Sequence, residues 1–199
     1  MIDGEAYVRQ YRAEQLQAQA DSLTEFRGHA AYITGPTMAI LGESWPLAIL
    51  EAVAGATDWL DGHKAKEASA LAGYNINPDG KDNDRNADKK LTYSGMIGTM
   101  IRDITNGNHA SGGFVGATIL CSAVRDRAIG RRRAESTRKE SSILVNRVNT
   151  VLRIGSLTIG MSPLGRTKTG RRVRNTGLGM STVLATYGYF QTKKQLTSE

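Results

Sequence analysis

The run Asp58-Trp59-Leu60-Asp61-Gly62-His63-Lys64-Ala65-Lys66, followed by Gly80-Lys81-Asp82-Asn83-Asp84-Arg85-Asn86-Ala87-Asp88, decides how the chain is read. On a helix, Asp58 and Asp61 stand at i and i+3 and Asp84 and Asp88 at i and i+4, so each pair projects from one face. Two such helices can oppose four carboxylates. Four converging acids repel unless cations lie between them, and hard oxygen donors suit Mg²⁺, Mn²⁺ or Ca²⁺ rather than zinc. A divalent-metal site is therefore expected at Asp58, Asp61, Asp84 and Asp88. Gly62 and Ala65 remove bulk beside Asp61, and Gly80 lies one turn before Asp84, which leaves room for a ligand against the backbone. Two other readings exist: the acids as solvated charges, or Asn75-x-Asn77-x-Asp79-Gly80 as the start of an EF-hand loop. In the latter, Asn86 takes the twelfth position, where a bidentate Glu is needed.

Outward from these residues the pattern is helical. Ala, Leu, Met, Gln and Glu dominate the longer segments, and period-two alternation of β-branched residues is scarce. Residues 3–21 read as a polar helix. Breaks at Pro36, Pro46, Pro78 and Pro163, with neighbouring Gly, leave helix candidates near 23–44, 46–70, 82–105, 110–130, 142–162 and 168–192. The expected organisation is an N-terminal polar or juxtamembrane helix (1–22), one domain (23–192) and a short tail (193–199).

Composition narrows the class. In 199 residues, 40% are hydrophobic and 23% charged, which excludes a disordered chain, and 22 Gly with only 4 Pro and no G-X-Y period excludes a collagen-like one. A lone Cys121 excludes an internal disulfide and a Cys-based zinc site. The first 28 residues carry charges throughout and lack the apolar core of an export signal. Net charge divides unevenly: residues 1–120 hold ten Lys and Arg against fifteen Asp and Glu, residues 121–199 sixteen against four. So basic a second part calls for an anionic partner, whether nucleic acid, a membrane surface or a phosphorylated small molecule. Hydropathy cuts both ways. A strict search finds no run of 18 apolar residues, yet the uncharged runs at 28–42, 104–124, 154–165 and 175–192 are rich in the small residues that suit helix packing in a bilayer. Glu43 and Glu51 interrupt a would-be span at 37–57, and carboxylates at such depth are expensive unless functional or interior-facing.

The aspartate pattern resembles the signature of the CDP-alcohol phosphatidyltransferases, Asp-x2-Asp-Gly-x2-Ala-Arg-x8-Gly-x3-Asp-x3-Asp. Asp58, Asp61, Gly62, Ala65, Gly80, Asp84 and Asp88 match it. Lys66 stands where that family has Arg, keeping the charge but losing the guanidinium fork, and 13 residues rather than 8 separate it from Gly80. The branch most similar is the phosphatidylglycerophosphate synthases. Leu23-Thr24-x-x-Arg27, Ala56-Thr57-Asp58-Trp59-Leu60-Asp61-Gly62, Ser122-Ala123-Val124-Arg125-Asp126 and Leu164-Gly165-Arg166-Thr167-Lys168-Thr169 resemble its segments, although Ala117-Thr118 stand where that branch carries Arg-Glu.

The resemblance implies an all-α integral membrane bundle of about six helices, multi-pass in a bacterial-type cytoplasmic membrane, with its active site facing the cytoplasm. It implies a homodimer that transfers a phosphatidyl group from CDP-diacylglycerol to glycerol 3-phosphate, releasing CMP. Two divalent cations, Mg²⁺ or Mn²⁺, would be held by Asp58, Asp61, Asp84 and Asp88, with Asp88 also the general base. Thr57, Gly62, Ala65, Lys66 and Gly80 would line the CDP pocket. The basic second part then supplies Arg125, Arg127, Arg166 and Lys168 as anchors for the acceptor phosphate, with no nucleic acid as partner. Two alternatives stay open: the same chemistry on another alcohol such as inositol phosphate, and a soluble basic helical protein binding nucleic acid through residues 125–174.

Overall fold

Short turn signals set the helix ends in the computed structural model, which describes residues 4–77, 80–135 and 143–197. Gly42, at φ 82°, closes the first helix by donating its N–H to the Met38 carbonyl at 3.1 Å. Ser44 caps the second, its hydroxyl accepting from the Leu47 N–H at 3.4 Å with Pro46 in the first turn. Gly73, at φ 77°, ends that helix in the left-handed conformation, and Gly107, at φ 76°, makes the next tight turn. The result is α1 (Gly4–Leu41), α2 (Trp45–Ala72), α3 (Gly80–Thr105), α4 (His109–Glu135), α5 (Ile143–Met161), a 3-10 turn (Pro163–Arg166) and α6 (Lys168–Thr197).

The all-α expectation of about six helices holds. Its membrane-spanning half is not supported, because among the described residues no helix is long and apolar enough to cross a membrane. The polar segment 3–21 and the candidate at 23–44 are one 38-residue helix, α1, which runs unbroken across residue 22 and through Pro36. Likewise α6 continues past residue 192 to Thr197. The candidate at 110–130 extends through Arg131-Arg132-Arg133 to Glu135, and residues 136–142 lie outside the described residues.

The helices close a ring in the order α1–α3–α4–α6–α5–α2, with α3 also touching α5 across the middle. Small residues let them approach. Gly35 on α1 and Gly98 on α3 pack backbone to backbone, and a Cβ at Gly98 would fall on the Gly35 carbonyl. Three apolar clusters fill the ring: Ala30, Ala31, Ala54 and Leu91; Met38, Leu47, Ala48 and Met161; and Met96, Val115, Leu157 and Leu178.

Charge lies inside as well. Arg174 and Asp103 pair at 2.5 Å, both almost fully buried, so Arg174 is a core residue rather than the outward-facing charge its place in an arginine-rich run suggests. Glu43 and Glu51 are both interior-facing. Glu51 is 0% exposed and neither of its carboxylate oxygens has a hydrogen-bond partner. Burial pushes its pKa up to about 8, against a smaller opposing effect of the Thr34 hydroxyl.

Two predictions follow from this packing. Gly98→Ala should cost about 1–3 kcal/mol by forcing α1 and α3 apart, read as a lower urea midpoint at unchanged slope. For Glu51, the folded state holds the proton more tightly than the unfolded chain, so stability falls as pH rises from the ordinary Glu value to about 8. Glu51→Gln removes that loss, and its melting temperature at pH 9 should exceed the parent's by roughly 5–10 °C. Equal melting temperatures at pH 9 would show that Glu51 is not buried as a proton-bound acid.

Candidate functional site

The four aspartates do converge. The 13-residue separation is taken up by the end of α2 and the loop after Gly73, and α3 begins at Gly80, so the second acidic pair keeps its helical register. Asp58 and Asp61 reach inward from α2, Asp84 and Asp88 from α3. Oxygen atoms of Asp58, Asp84 and Asp88 lie within 4.8 Å of one another.

At their centre is a residue that the spacing argument did not single out as part of the site. Arg27, from the middle of α1, is 0% exposed and spreads its guanidinium among all four carboxylates. Nη1 donates to Asp58 Oδ1 at 2.9 Å and to Asp88 Oδ1; Nη2 donates to Asp84 Oδ1 at 2.6 Å and to Asp61 Oδ2. Thr24, one turn earlier on α1, donates its hydroxyl to the same Asp61 oxygen at 2.9 Å. The signal for both residues lay in Leu23-Thr24-x-x-Arg27, a motif whose two polar members stand at i and i+3 on one face.

One guanidinium cannot neutralise four carboxylates. Burial raises the Asp88 pKa to about 7 and that of Asp61 to about 6, and Arg27 only partly offsets this. Asp84 moves upward for the same reason. Such acids take up protons or a cation. The donor set fits a hard divalent ion: it is all carboxylate oxygen, three members are close enough to share one ion, and Asp61 Oδ1 is buried without any hydrogen-bond partner. Asp88, partly buried on α3, is raised further than Asp61.

The other candidate residues fall into three groups. Gly62, Ala65 and Lys66 follow Asp61 along α2; there is open space where a Gly62 side chain would be, and Lys66 is exposed. Gly80 sits against the Asn77 side chain at the start of α3, while Asn77 donates to Asp21 at 3.0 Å. The calcium-loop pattern therefore does not close as a loop: its sixth position opens a helix, and its fifth, Asp79, lies outside the described residues. Thr57 is buried and its hydroxyl donates to the Ala54 carbonyl at 2.7 Å, so it is satisfied within α2.

Arg125 and Arg127 lie on α4 toward the aspartate end of the bundle. Arg125 donates to Asp126 at 2.9 Å, Asp126 accepts from Tyr93 at 2.9 Å, and Tyr93 is five residues beyond Asp88 on α3. Arg153, from α5, joins this face by donating to Ser122 and Ser181, each at 3.0 Å. Its isolated place in an apolar helix gave no sequence signal. Arg166 and Lys168 are elsewhere. Arg166 bonds Glu43 beside Arg102, and Arg102 is 14 residues beyond Asp88 on α3, about 21 Å at helical rise.

Arg27→Met should destabilise the protein by about 3–5 kcal/mol, because it strands buried carboxylates without their partner. Millimolar Mg²⁺ or Mn²⁺ should then raise its melting temperature more than it raises the parent's, since the ion replaces the missing positive charge. Absence of any metal-induced stabilisation in both proteins would remove the aspartate cluster as a cation site. Compared with family models, curated proteins and solved structures, the chain matches none, so its functional reading rests on these residues themselves.

Proposed function

We propose that the chain is a divalent-metal-dependent phosphatidyltransferase that moves the phosphatidyl group of CDP-diacylglycerol onto glycerol 3-phosphate and releases CMP. The observation carrying this reading is the convergence of Asp58, Asp61, Asp84 and Asp88 from two helices. A bound Mg²⁺ or Mn²⁺ would supply charge neutralisation for the donor's diphosphate. Asp58, Asp61 and Asp84 would hold it, together with Asp88.

The chain's own residues then do three things. The space beside Gly62 admits the donor's diphosphate against the α2 backbone. Asp88 accepts the proton of the acceptor hydroxyl as its oxygen bonds to the lipid-bearing phosphorus, and the phosphorus–oxygen bond to CMP breaks. Arg125 and Arg127, on the aspartate end of α4, are the candidates left for the acceptor phosphate; Arg166 and Lys168 are too distant for that role.

Two further features favour a lipid donor. An apolar groove of about 380 Å³ between α1 and α3 is lined by Tyr32, Pro36, Ile97 and Ile101 and also by Lys90, two residues from Asp88. The helices also turn large apolar side chains outward, among them Trp45, Ile49 and Val53 on α2 and Val173, Met180 and Val183 on α6, while Arg27, Glu51, Asp103 and Arg174 are buried. Lipid in contact with these outer faces would suit that inversion.

With CDP-diacylglycerol and Mg²⁺ in detergent micelles, CMP release should require glycerol 3-phosphate. Asp88→Asn should lower the rate by about 10²–10⁴-fold at unchanged helical content. Release that depends on inositol phosphate instead would reassign the acceptor. Absence of CMP with every alcohol tested would overturn the reading.

A further inference from the structure

A second polar site stands at the opposite end of the bundle. Glu43, Arg102, Asn106, Asn108, Arg166 and Arg171 line a cavity of about 400 Å³, where α1 and α3 end and α4 and α6 begin. Three arginines and one carboxylate line it. Glu43, whose side chain is only 4% exposed, lies 3.3 Å from Arg166 Nε and 3.6 Å from Arg102 Nε.

The arginines are held in place. Arg166 Nη2 donates to the Glu43 carbonyl at 2.8 Å, and Arg171 Nη1 donates to the Arg166 carbonyl. The Arg102 guanidinium packs against Gly42, where any Cβ would strike it. Its Nε is buried and makes no hydrogen bond, since the Glu43 oxygen is beyond bonding distance. Asn106 and Asn108 add neutral amide donors, and the N-terminus of α4, which opens at His109, adds the positive end of its dipole.

Spare positive charge, fixed guanidinium planes and an unused buried donor together describe a pocket for a tetrahedral dianion. We propose that Arg102, Arg166 and Arg171 bind a phosphoryl group in this cavity, about 21 Å along α3 from the aspartates, with Glu43 as the built-in anion that keeps the arginines ordered when the cavity is empty. The phosphoryl group can belong to a soluble phosphate or to a lipid headgroup. This site is independent of the phosphatidyltransferase reading, because none of its lining residues belongs to the aspartate cluster.

Titration of the full chain with inorganic phosphate, without divalent metal and followed by calorimetry, tests it. Saturable binding is expected, at least tenfold weaker in Arg171→Gln and tighter in Glu43→Gln, where the competing carboxylate is gone. Arg171 is partly exposed on the first turns of α6, so its replacement leaves the fold intact even if Glu43→Gln does not. Vesicle flotation on phosphatidate against phosphatidylcholine separates the two sources: phosphate that competes with phosphatidate for the protein assigns the pocket to a headgroup, and saturable phosphate binding without selectivity for phosphatidate assigns it to a soluble phosphate. No saturable binding by the parent, or undiminished binding by Arg171→Gln, would overturn the proposal.

Discussion

The guanidinium of Arg27 joins three helices at one point. It reaches out from α1, fully buried, to two carboxylates from α2 and two from α3. Removing Arg27 and Asp61 from water, and partly covering Asp58, Asp84 and Asp88, costs energy that the interior repays only where geometry supplies a bond for each charge. Arg27 repays part of it. With every acid ionised three negative charges remain over, and burial, reinforced by the neighbouring carboxylates, moves Asp88 and Asp61 upward. A divalent cation arriving here would displace protons as it bound, so cation affinity and pH are coupled at this cluster. The same arrangement therefore holds α1, α2 and α3 in register and leaves an electrostatic demand that a ligand can meet.

Around this point the usual distribution of polarity is inverted. Alanines, glycines and serines make much of the helix contact, so backbones approach closely and little large apolar volume is available for the middle of the ring. Buried charge fills some of the remainder: Arg174 with Asp103, Glu43 among arginines, and Glu51 alone. Large side chains such as Trp45, Trp59, Leu120 and Val183 point outward. A hydrophobic core of this size contributes less per residue than one built on Leu and Phe, so ion pairs and close backbone contacts must carry more of the specificity. That is why a single methyl group at Gly98 or the loss of one guanidinium at Arg27 matters.

How much of this was legible in the sequence follows from the range over which each signal acts. The two aspartate pairs were readable because i, i+3 and i, i+4 spacing is local, and it places them on one face whatever the rest of the fold does. Helix class and most helix ends were readable from Gly, Pro and Ser at the turns. The unbroken α1 was not, because Pro36 reads as a stop and the polarity change near residue 22 reads as a boundary. The Leu23-Thr24-x-x-Arg27 motif put Thr24 and Arg27 on one face, but a lone arginine among Glu25, Gly28 and His29 does not reveal that this face is buried against the acids. The burial of Arg174 was hidden for the converse reason. In the run Arg171-Arg172-x-Arg174 the sequence shows like charges, whereas in the fold Arg171 borders a cavity, Arg172 is exposed and Arg174 is buried against Asp103. Arg166 shared a motif-like segment with Lys168, but the 3-10 turn before α6 carries it to the end of the bundle away from Asp88.

The charge division along the sequence does not map onto the fold as two halves. Arg125 and Arg153, from the basic part, lie toward the acidic end; Glu43 and Arg102, from the acidic part, lie with Arg166 and Arg171 at the other. What separates the two polar sites is α3, one continuous helix of 26 residues bearing Asp84 and Asp88 near its start and Arg102 in its last turn. Asp82 in the first turn of α3 and Arg102 in its last are also what the helix dipole favours, so charges at its ends stabilise the helix that serves both sites. Because an α-helix resists compression along its axis, an event at one end changes the other only by shifting or rotating α3 as a body. The backbone contact of Gly98 with Gly35 opposes such a shift, and α1, which supplies Arg27 to one site and ends at Gly42 against Arg102 in the other, is the element through which the two would be coupled.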